Sequence, residues 1–400
     1  MRRLSLVLAI SMLVATLPVA AVGDHAESVR FATFNASLNR NFEGQLVSDL
    51  STPDNAQAKV IAEIIQLTRP EVLLINEFDF SEEAVDLFRE NYLEVSQNGA
   101  DPIEYPYAFI APSNTGVPSG HDLNNDGTVG GPDDAFGFGF FPGQFGMVVY
   151  SQHPIGDVRT FQEFLWKDMP DALLPVDPAT GDGWYSPEEL EVFRLSSKSH
   201  WDVEIEIGDR DIHFLVSHPT PPVFDGAEDR NGTRNHDEIR FWADYVDPSR
   251  SHYIYDDEGV RRGLKGGEAF VIAGDQNSDP YDGDSVPGAI QQLLDHRRII
   301  GNVAPTSTGG VWASETQGGA NLTHLSDPAA DTADFSDTAP GNLRADYVLP
   351  SKNLGISDSG VFWPAEGEPH FELTGVFPFP SSDHRLVWVD VNLSHRWLKK

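Results

Sequence analysis

The sequence predicts one α+β domain in which two β-sheets pack together under a cover of helices. Three observations predict this fold class. The 400 residues include 40% hydrophobic and 10% aromatic side chains, enough for a large core. Apolar runs of strand length recur in both halves of the chain, with helical apolar patterns between them. The chain has no cysteine, so its core or bound metal must stabilise it, and disulfides, thiolate zinc sites and cysteine nucleophiles are excluded.

The first ninety residues alternate between the two kinds of element. Strands are predicted at residues 29–35 and 72–78, and helices at 55–68 and 81–91. Pro70 cannot continue the first helix. Ser81 is a suitable N-cap for the second helix, and acidic residues fill its first turn.

The rest of the chain adds strands from both sheets and several long loops. Strands are predicted at 146–150, 201–207, 212–217, 269–273, 345–349 and 386–391, and helices at 236–246 and 289–294. The strands at 201–207 and 212–217 form a hairpin around Asp209. Spans rich in Gly, Pro and Asp interrupt the core at 112–143, 168–187, 225–234 and 304–342. Loops of this length are usually functional or mobile.

The charge balance limits how the protein can hold an anion. There are 62 acidic and 27 basic residues, a net charge of −35. This excludes a general electrostatic attraction to phosphate backbones, so phosphate chemistry would need a local positive group such as a metal ion. The acidity itself fits adaptation to high salt, high solubility of a secreted protein, or calcium binding.

The amino terminus predicts export. Residues 1–23 read as a signal peptide, with Arg2 and Arg3 before an apolar stretch at 4–14 and small residues at the end. The alternative is an uncleaved amino-terminal anchor. Cleavage would leave residues 24–400 as one secreted, extracellular domain without stable membrane insertion, because no other stretch approaches spanning length.

Polar side chains stand where the predicted strands end. They form an ordered series: Asn35, Glu77, His218, Asp275, Asn277, Asp346, Asp383 and His384. Each residue alone has an ordinary structural explanation, such as a turn, a surface acid or a core histidine. Because strand ends collect functional groups from distant parts of a chain, the whole series indicates a catalytic site.

This series resembles the endonuclease/exonuclease/phosphatase superfamily, which includes pancreatic-type deoxyribonuclease. The matching segments are Asn35, Asn76-Glu77, His218, Gly274-Asp275-Gln276-Asn277, Asp346-Tyr347 and Ser382-Asp383-His384, in the family's order. Asn76 replaces the usual Gln, and Ser217-His218-Pro219-Thr220 differs from the commoner Thr-His-Leu. The resemblance implies a four-layer α/β-β/α sandwich of two packed mixed sheets flanked by helices, and a secreted member of the family.

The resemblance also implies a mechanism, the metal-assisted hydrolysis of a phosphate ester. Mg²⁺ or Mn²⁺ would be held through Asn35, Glu77 and Asp383. The catalytic residues would be His218, Asp275, Asn277, Asp346 and His384. Asp275 would activate water with help from Asn277, and His384, fixed by Asp346, would bind the phosphoryl oxygen. His218 would protonate the leaving oxygen or donate a hydrogen bond to the phosphate.

Two other residues remain open at this stage. Lys198 is either a rare cation facing the phosphate or a lysine at a strand edge, and the stretch 195–201 around it matches no known pattern. Tyr107 is either a phosphate contact or a packing residue.

A second site is predicted in the insertion at 112–143. Residues 122–133 match a calcium loop in which Asp122, Asn124, Asp126, Thr128 and Asp133 occupy positions 1, 3, 5, 7 and 12, with Gly127 at position 6. The alternative is a polar, glycine-rich loop without metal. Bound Ca²⁺ would order the insertion near the active face.

The sequence therefore favours a secreted, monomeric, divalent-metal-dependent phosphoesterase, with phosphodiesters of the nuclease type preferred. The substrate is a phosphate ester, either a nucleic acid or a small phosphate or lipid headgroup. The alternatives are a phosphomonoesterase, a phospholipid or inositol-phosphate headgroup hydrolase, and a non-catalytic calcium-binding module on the same fold.

Overall fold

Two β-sheets stack face to face between helices in the computed structural model, which describes residues 28–393. The strands are β1 (Ser28–Leu38), β2 (Val72–Phe78), β3 (Tyr107–Phe109), β4 (Met147–Ser151), β5 (Ile155–Thr160), β6 (His200–Ile207), β7 (Arg210–Ser217), β8 (Ala269–Asp275), β9 (Ala333–Asp334), β10 (Asn342–Leu343), β11 (Asp346–Pro350), β12 (Gly355–Val361) and β13 (Val387–Asn392). The α-helices are α1 (Gln45–Leu50), α2 (Ala56–Thr68), α3 (Glu82–Phe88), α4 (Pro187–Leu190), α5 (Arg230–Tyr245), α6 (Gln291–Leu294), α7 (Thr308–Gln317) and α8 (Phe371–Thr374).

Both large sheets are mixed. In the described residues the first has the order β12-β13-β1-β2-β4-β3, and the second has the order β11-β8-β7-β6-β5. Within the first sheet β1 and β2 are parallel, and within the second β7 and β8 are parallel, while the other pairs are antiparallel. The carboxyl ends of the parallel pairs carry the first five residues of the polar series, whereas Asp346 begins β11 and Asp383 and His384 precede β13.

The core has three apolar layers, one between the sheets and one under each group of helices. Phe31 of β1 and Phe214 of β7 meet between the sheets, with ring centroids 5.5 Å apart. Ile61 of α2 packs on the outer face of the first sheet, and Trp242 of α5 packs on the outer face of the second. This confirms the predicted four-layer α/β-β/α sandwich.

Local sequence accounts for where the first helices begin and end. The side chain of Asn55 accepts the N–H of Ala58 at the start of α2, and Ser81 accepts the N–H of Ala84 at the start of α3. Arg69 ends α2 in a left-handed conformation, and Pro70 follows it. The predicted helix boundaries are confirmed at these ends.

The structure corrects two of the predicted loops. Helix α5 begins at Arg230 rather than at 236, so it takes up the end of the span 225–234. The span 304–342 contains α7, which Ser307 caps by accepting the N–H of Gly310. In both cases a glycine-containing sequence is helical because tertiary packing outweighs its weak helix propensity.

The predicted signal peptide at 1–23 lies outside the described residues. None of the helices within residues 28–393 has the length and apolar character needed to cross a bilayer.

Candidate active site

Strand alternation brings residues of both sheets to one end of the sandwich. Successive side chains of a strand point to opposite faces, so Asn35 lies on the same face of β1 as Phe31. In the same way Asp275 follows Val271 and Ala273 along the inner face of β8. The two residues meet between the sheets, where Nδ2 of Asn35 donates to Oδ2 of Asp275 over 3.1 Å.

Asp275 is the centre of a buried cluster. Its Oδ2 lies 3.4 Å from Nε2 of His218 and 3.6 Å from Nε2 of His384. Burial alone would raise the pKa of Asp275, but His384, the His218 hydrogen bond and the Asn35 amide outweigh it and lower the pKa well below its usual value. Asp275 is therefore a carboxylate under all ordinary conditions.

Asp346 holds His384 in one orientation. Oδ2 of Asp346 lies 2.8 Å from Nδ1 of His384 and also accepts the hydroxyl of Thr332 over 2.9 Å. This pairing leaves Nε2 of His384 free to face Asp275. Although burial opposes it, the charges of Asp346 and Asp275 raise the pKa of His384 well above its usual value. His384 is thus held as an imidazolium.

The pKa of His218 shifts the other way. Burial lowers it first, and the nearby charge of Lys198 lowers it further. His218 is therefore neutral at neutral pH, and its Nδ1 is buried without a hydrogen-bond partner among the described residues. A neutral imidazole can donate a hydrogen bond, but it is a poor source of a proton.

Left-handed backbone conformations occur where the strands reach the site. Glu77 has φ of 59°, and Asn277 has φ of 51°. Strict alternation would place Glu77 on the helix-covered face of β2, yet it lines a cavity together with His218 and Lys198. Strained conformations of this kind cluster at functional sites because the surrounding structure has to impose them.

Asn277 and Asp383 border the cluster. The backbone N–H of Asn277 donates to Oδ1 of Asp275 over 2.9 Å, and its Nδ2 donates to the carbonyl of Pro219 over 3.1 Å. Asn277 thus fixes both the Asp275 carboxylate and the segment after His218. Asp383 is half-buried beside His384, and its side chain contacts Oγ of Ser382 at 3.4 Å.

The donor atoms suit a hard divalent cation. The carboxylates of Asp275 and Asp346 have oxygen atoms within 4.8 Å of each other and of His384, whose imidazolium form is not itself a ligand. Oδ1 of Asp346 is buried and has no hydrogen-bond partner among the described residues. Oε2 of Glu77 accepts a hydrogen bond from Asn39 over 2.7 Å. Carboxylate and amide oxygens are the ligands that Mg²⁺ and Mn²⁺ prefer.

The predicted calcium loop reaches the cavity that Glu77 and His218 also line. The carboxylate of Asp122 accepts the backbone N–H groups of Asp126 and Gly127 over 3.0 and 2.8 Å. Asp133 lines the cavity beside the active site. Its neighbour Asp134, which sequence reasoning did not single out, closes the loop by accepting the N–H groups of Leu123 and Gly130, each over 2.7 Å.

Sequence reasoning also missed a positioning glutamate. Glu238 of α5 is fully buried, and its carboxylate accepts the backbone N–H groups of Ser197 and Thr220, each over 2.6 Å. It thereby fixes the two segments that carry Lys198 and His218. Its position four residues before the core residue Trp242 is the signal that could have placed it on the buried face of α5.

The structure excludes the strand-edge alternative for Lys198, and a contact with phosphate stays a prediction. Its side chain is buried and lines the cavity with His218 and Glu77, so it is not an exposed lysine at a strand edge. His200, two residues later, is a core histidine: its Nε2 lies 2.9 Å from the carbonyl of Glu238, and burial lowers its pKa to about 4.

Solved structures of low sequence identity resemble this chain. An endonuclease/exonuclease/phosphatase from Beutenbergia cavernae is 16% identical, with 92% of this chain and 72% of that chain covered and a TM-score of 0.48. Sphingomyelinase C from Streptomyces griseocarneus is 14% identical, with 91% and 99% covered and a TM-score of 0.43. A mannosyl-6-phosphatase from Bacteroides thetaiotaomicron is 11% identical, with 91% and 99% covered and a TM-score of 0.45. Identities this low carry no substrate over to this chain.

The sequence itself gives the family. No curated protein matches the chain. The endonuclease/exonuclease/phosphatase family matches over residues 32–384, which includes every residue of the cluster. Members of this family hydrolyse phosphate esters. The chain belongs to the endonuclease/exonuclease/phosphatase family and is a hydrolase of phosphate ester bonds.

Proposed function

We propose that the protein is a secreted phosphodiesterase that uses Mg²⁺ or Mn²⁺. One observation carries this proposal: the buried Asp275 carboxylate faces Asn35, His218 and His384, and Asp346 fixes His384 from the far side. Such an arrangement can hold an activated water opposite a bound phosphoryl group, with hydrogen-bond donors already in place for its oxygens.

In this proposal each residue has one role. Asp275 orients the attacking water and takes its proton, while Asn277 keeps Oδ1 of Asp275 in place. The imidazolium of His384 donates from Nε2 to a phosphoryl oxygen. His218, being neutral, has a single N–H, and in this proposal Nε2 turns that N–H from Asp275 to an oxygen of the phosphate when substrate binds. A hydrogen bond to the phosphate is the second of the two roles that the sequence left open.

The metal would be held by Asn35, Glu77 and Asp383. When bound, it would neutralise charge on the phosphoryl group together with the imidazolium of His384, in a chain whose net charge is −35. Water activation and hydrogen bonding to the phosphate are the tasks of Asp275, His384 and His218.

The loop at 122–133 is proposed to bind Ca²⁺ through Asp122, Asn124, Asp126, the carbonyl of Thr128, and Asp133. The spacing of these residues and the turn of the backbone around Asp122 support this assignment. Its role would be to order the insertion that forms one wall of the cavity.

Hydrolysis by the purified mature protein tests the main proposal. The substrates are DNA, RNA, bis-p-nitrophenyl phosphate, p-nitrophenyl phosphate and sphingomyelin, each with Mg²⁺, with Mn²⁺ and with EDTA. Metal-dependent cleavage of the diesters that Asp275→Asn abolishes would support it. Preference for p-nitrophenyl phosphate would indicate a phosphomonoesterase instead. Preference for sphingomyelin would indicate a headgroup hydrolase. No hydrolysis by a folded, metal-loaded protein would favour the non-catalytic module.

Export and assembly need separate measurements. We expect the protein in the medium of its host to lack residues 1–23, which amino-terminal mass spectrometry would show. Light scattering on a sizing column should give a monomer. An intact amino terminus in a membrane fraction, or a larger mass, would contradict these two proposals.

A further inference from the structure

A cavity of about 510 Å³ adjoins the active site and has no part in the mechanism above. Glu77, Lys198 and His218 lie on its wall, so it is continuous with the position proposed for the phosphoryl group. Its volume falls within the range of small-ligand sites, roughly 300–1,000 Å³. An occupant of this cavity would therefore be part of the substrate rather than a separate molecule.

Five of the eighteen residues that line the cavity are aromatic, namely Phe138, Phe145, Tyr185, Phe193 and Phe224, and Arg230 and Arg234 line it as well. The aromatic residues come from three separate segments of the chain, including the insertion at 112–143. Aromatic rings stack on planar ligands or meet them edge to face, which favours flat rings over flexible chains. The cavity therefore suits a planar ring.

Two of these phenylalanines have backbone conformations that bulky residues rarely adopt. Phe145 has φ of 55° and Phe224 has φ of 67°. Asp79 holds Phe145 in place by accepting its N–H at Oδ1 over 3.2 Å. Phe224 is 86% exposed at the rim. Strained residues of this kind recur at sites that clamp a ligand. The backbone conformations that place these two rings in the cavity wall therefore cost conformational free energy.

Lys198 supplies a positive charge on the wall of the cavity. The residue is only 7% exposed. Within residues 28–393 its ammonium forms no hydrogen bond or close ion pair, but the charges of Glu238, Glu77 and Asp275 act on it. Burial of an ammonium is costly, and an anion bound directly beside it offsets that cost. A phosphate between Lys198 and His218 would provide that anion and leave the substituent of the phosphate facing the aromatic walls.

We propose that this cavity binds a planar aromatic ring on the leaving-alcohol side of the phosphoester, while Lys198 binds the adjacent phosphoryl oxygens. This inference rests on the proposed function, since it takes the phosphoryl position from it. The ring could belong to a nucleoside or to a phenol-type alcohol, and the chemistry that the cavity recognises is common to both.

Binding of matched ligand pairs tests the inference without turnover. Calorimetry would compare phenylphosphonate with methylphosphonate, and adenosine 5′-monophosphate with ribose 5-phosphate, in the presence of Mg²⁺. We expect the ligand with the ring to bind about tenfold more tightly within each pair, the amount typical of one stacked ring. A larger ratio for the nucleotide pair would identify a nucleoside, and a larger ratio for the phosphonate pair a phenol-type alcohol.

The variants locate the effect. Phe224→Ala and the double variant Phe138→Ala/Phe224→Ala should remove most of the ring preference and leave methylphosphonate affinity intact. Lys198→Met should weaken both phosphonates equally. Phe42→Ala is the matched control, because Phe42 is 73% exposed but does not line the cavity. Circular dichroism would confirm that each variant folds.

The same measurements separate the two proposals. Equal affinity for the ligands with and without a ring, or a ring preference that survives in the double variant, would overturn the subsite. A ring preference in a protein that hydrolyses none of the tested substrates would support the subsite and count against the proposed phosphodiesterase. Hydrolysis of diesters without a ring preference would support the proposed phosphodiesterase and overturn the subsite.

Discussion

Asn35 and Asp275 belong to different sheets, yet their side chains are joined by a buried hydrogen bond of 3.1 Å. The bond ties β1 to β8 within the buried cluster around Asp275. Since Asn35 donates, it also favours the charged form of Asp275. A single contact thus links the packing of the sheets to the protonation state of the proposed base.

Replacing Asn35 by alanine should move the acid limb of the pH–rate profile to higher pH. Asp275 has a lowered pKa, so activity that needs its carboxylate is present above that pKa and is lost as the pH falls through it. Loss of the Asn35 amide raises the pKa, and activity then disappears at a higher pH. The measurement is kcat/KM against pH, with Asn353→Ala in the turn after β11 as control. An unshifted limb would mean that Asn35 does not act on Asp275.

Asp346→Asn should lower kcat by roughly 10³, the range typical of a lost acid–base or orienting group. An uncharged amide in place of the carboxylate would no longer favour the imidazolium of His384, and the neutral ring would donate more weakly to a phosphoryl oxygen. Metal-dependent hydrolysis of bis-p-nitrophenyl phosphate measures this. Asp337→Asn is the control, because Asp337 is an exposed carboxylate of the same segment. Full activity of Asp346→Asn would contradict the role of the pair.

Glu238→Ala should lower the free energy of unfolding by about 3 kcal/mol, because two buried N–H groups lose their acceptor. Its activity should fall as well, since Ser197 and Thr220 would no longer hold Lys198 and His218 in place. Urea unfolding gives the first quantity, and an exposed Glu258→Ala variant provides the reference. A stability equal to wild type would show that other contacts hold these segments.

His213 should give the protein a pH-dependent stability unrelated to the active site. Burial opposes it, but the 2.7 Å hydrogen bond to Asp202 raises the pKa of His213. The stabilisation is therefore complete below the unfolded pKa of about 6.5 and is lost as the pH rises through the higher folded pKa. His213→Asn should cost about 1 kcal/mol near pH 5 and progressively less in alkaline solution. A pH-independent difference in urea unfolding would disprove the linkage.

Calcium should raise the unfolding temperature if the loop at 122–133 binds it, since a ligand that binds the folded state stabilises it. Asp122→Ala should abolish that increase, because Asp122 is at position 1 of the loop. The exposed loop residue Asp182 offers the control variant Asp182→Ala. Thermal unfolding with CaCl₂ and with EGTA measures the effect. An equal increase in the Asp122→Ala variant would place any bound calcium elsewhere.

The strands and the series of polar residues at their ends could be predicted from the sequence because they depend on local pattern. The strand at 72–78 has the predicted bounds, and the hairpin of β6 and β7 occurs as predicted. The prediction was wrong where it relied on local helix propensity alone. The start of α5 contains Gly232, and α7 contains Gly309 and Gly310, so propensity predicted loops where packing makes helices.

The sequence by itself determined the alternation of apolar and polar residues and the ordered polar series, and the series indicated the family. Only the tertiary structure decided which residues of the series touch, because contacts such as Asn35–Asp275 join residues 240 positions apart in different sheets. The left-handed turn at Glu77, the buried Lys198 and the aromatic cavity likewise follow from long-range packing. Local periodicity determines the face of a strand on which a residue lies. The path of the backbone beyond the strand, and the shape of a cavity between loops, depend on the distant residues that pack against them.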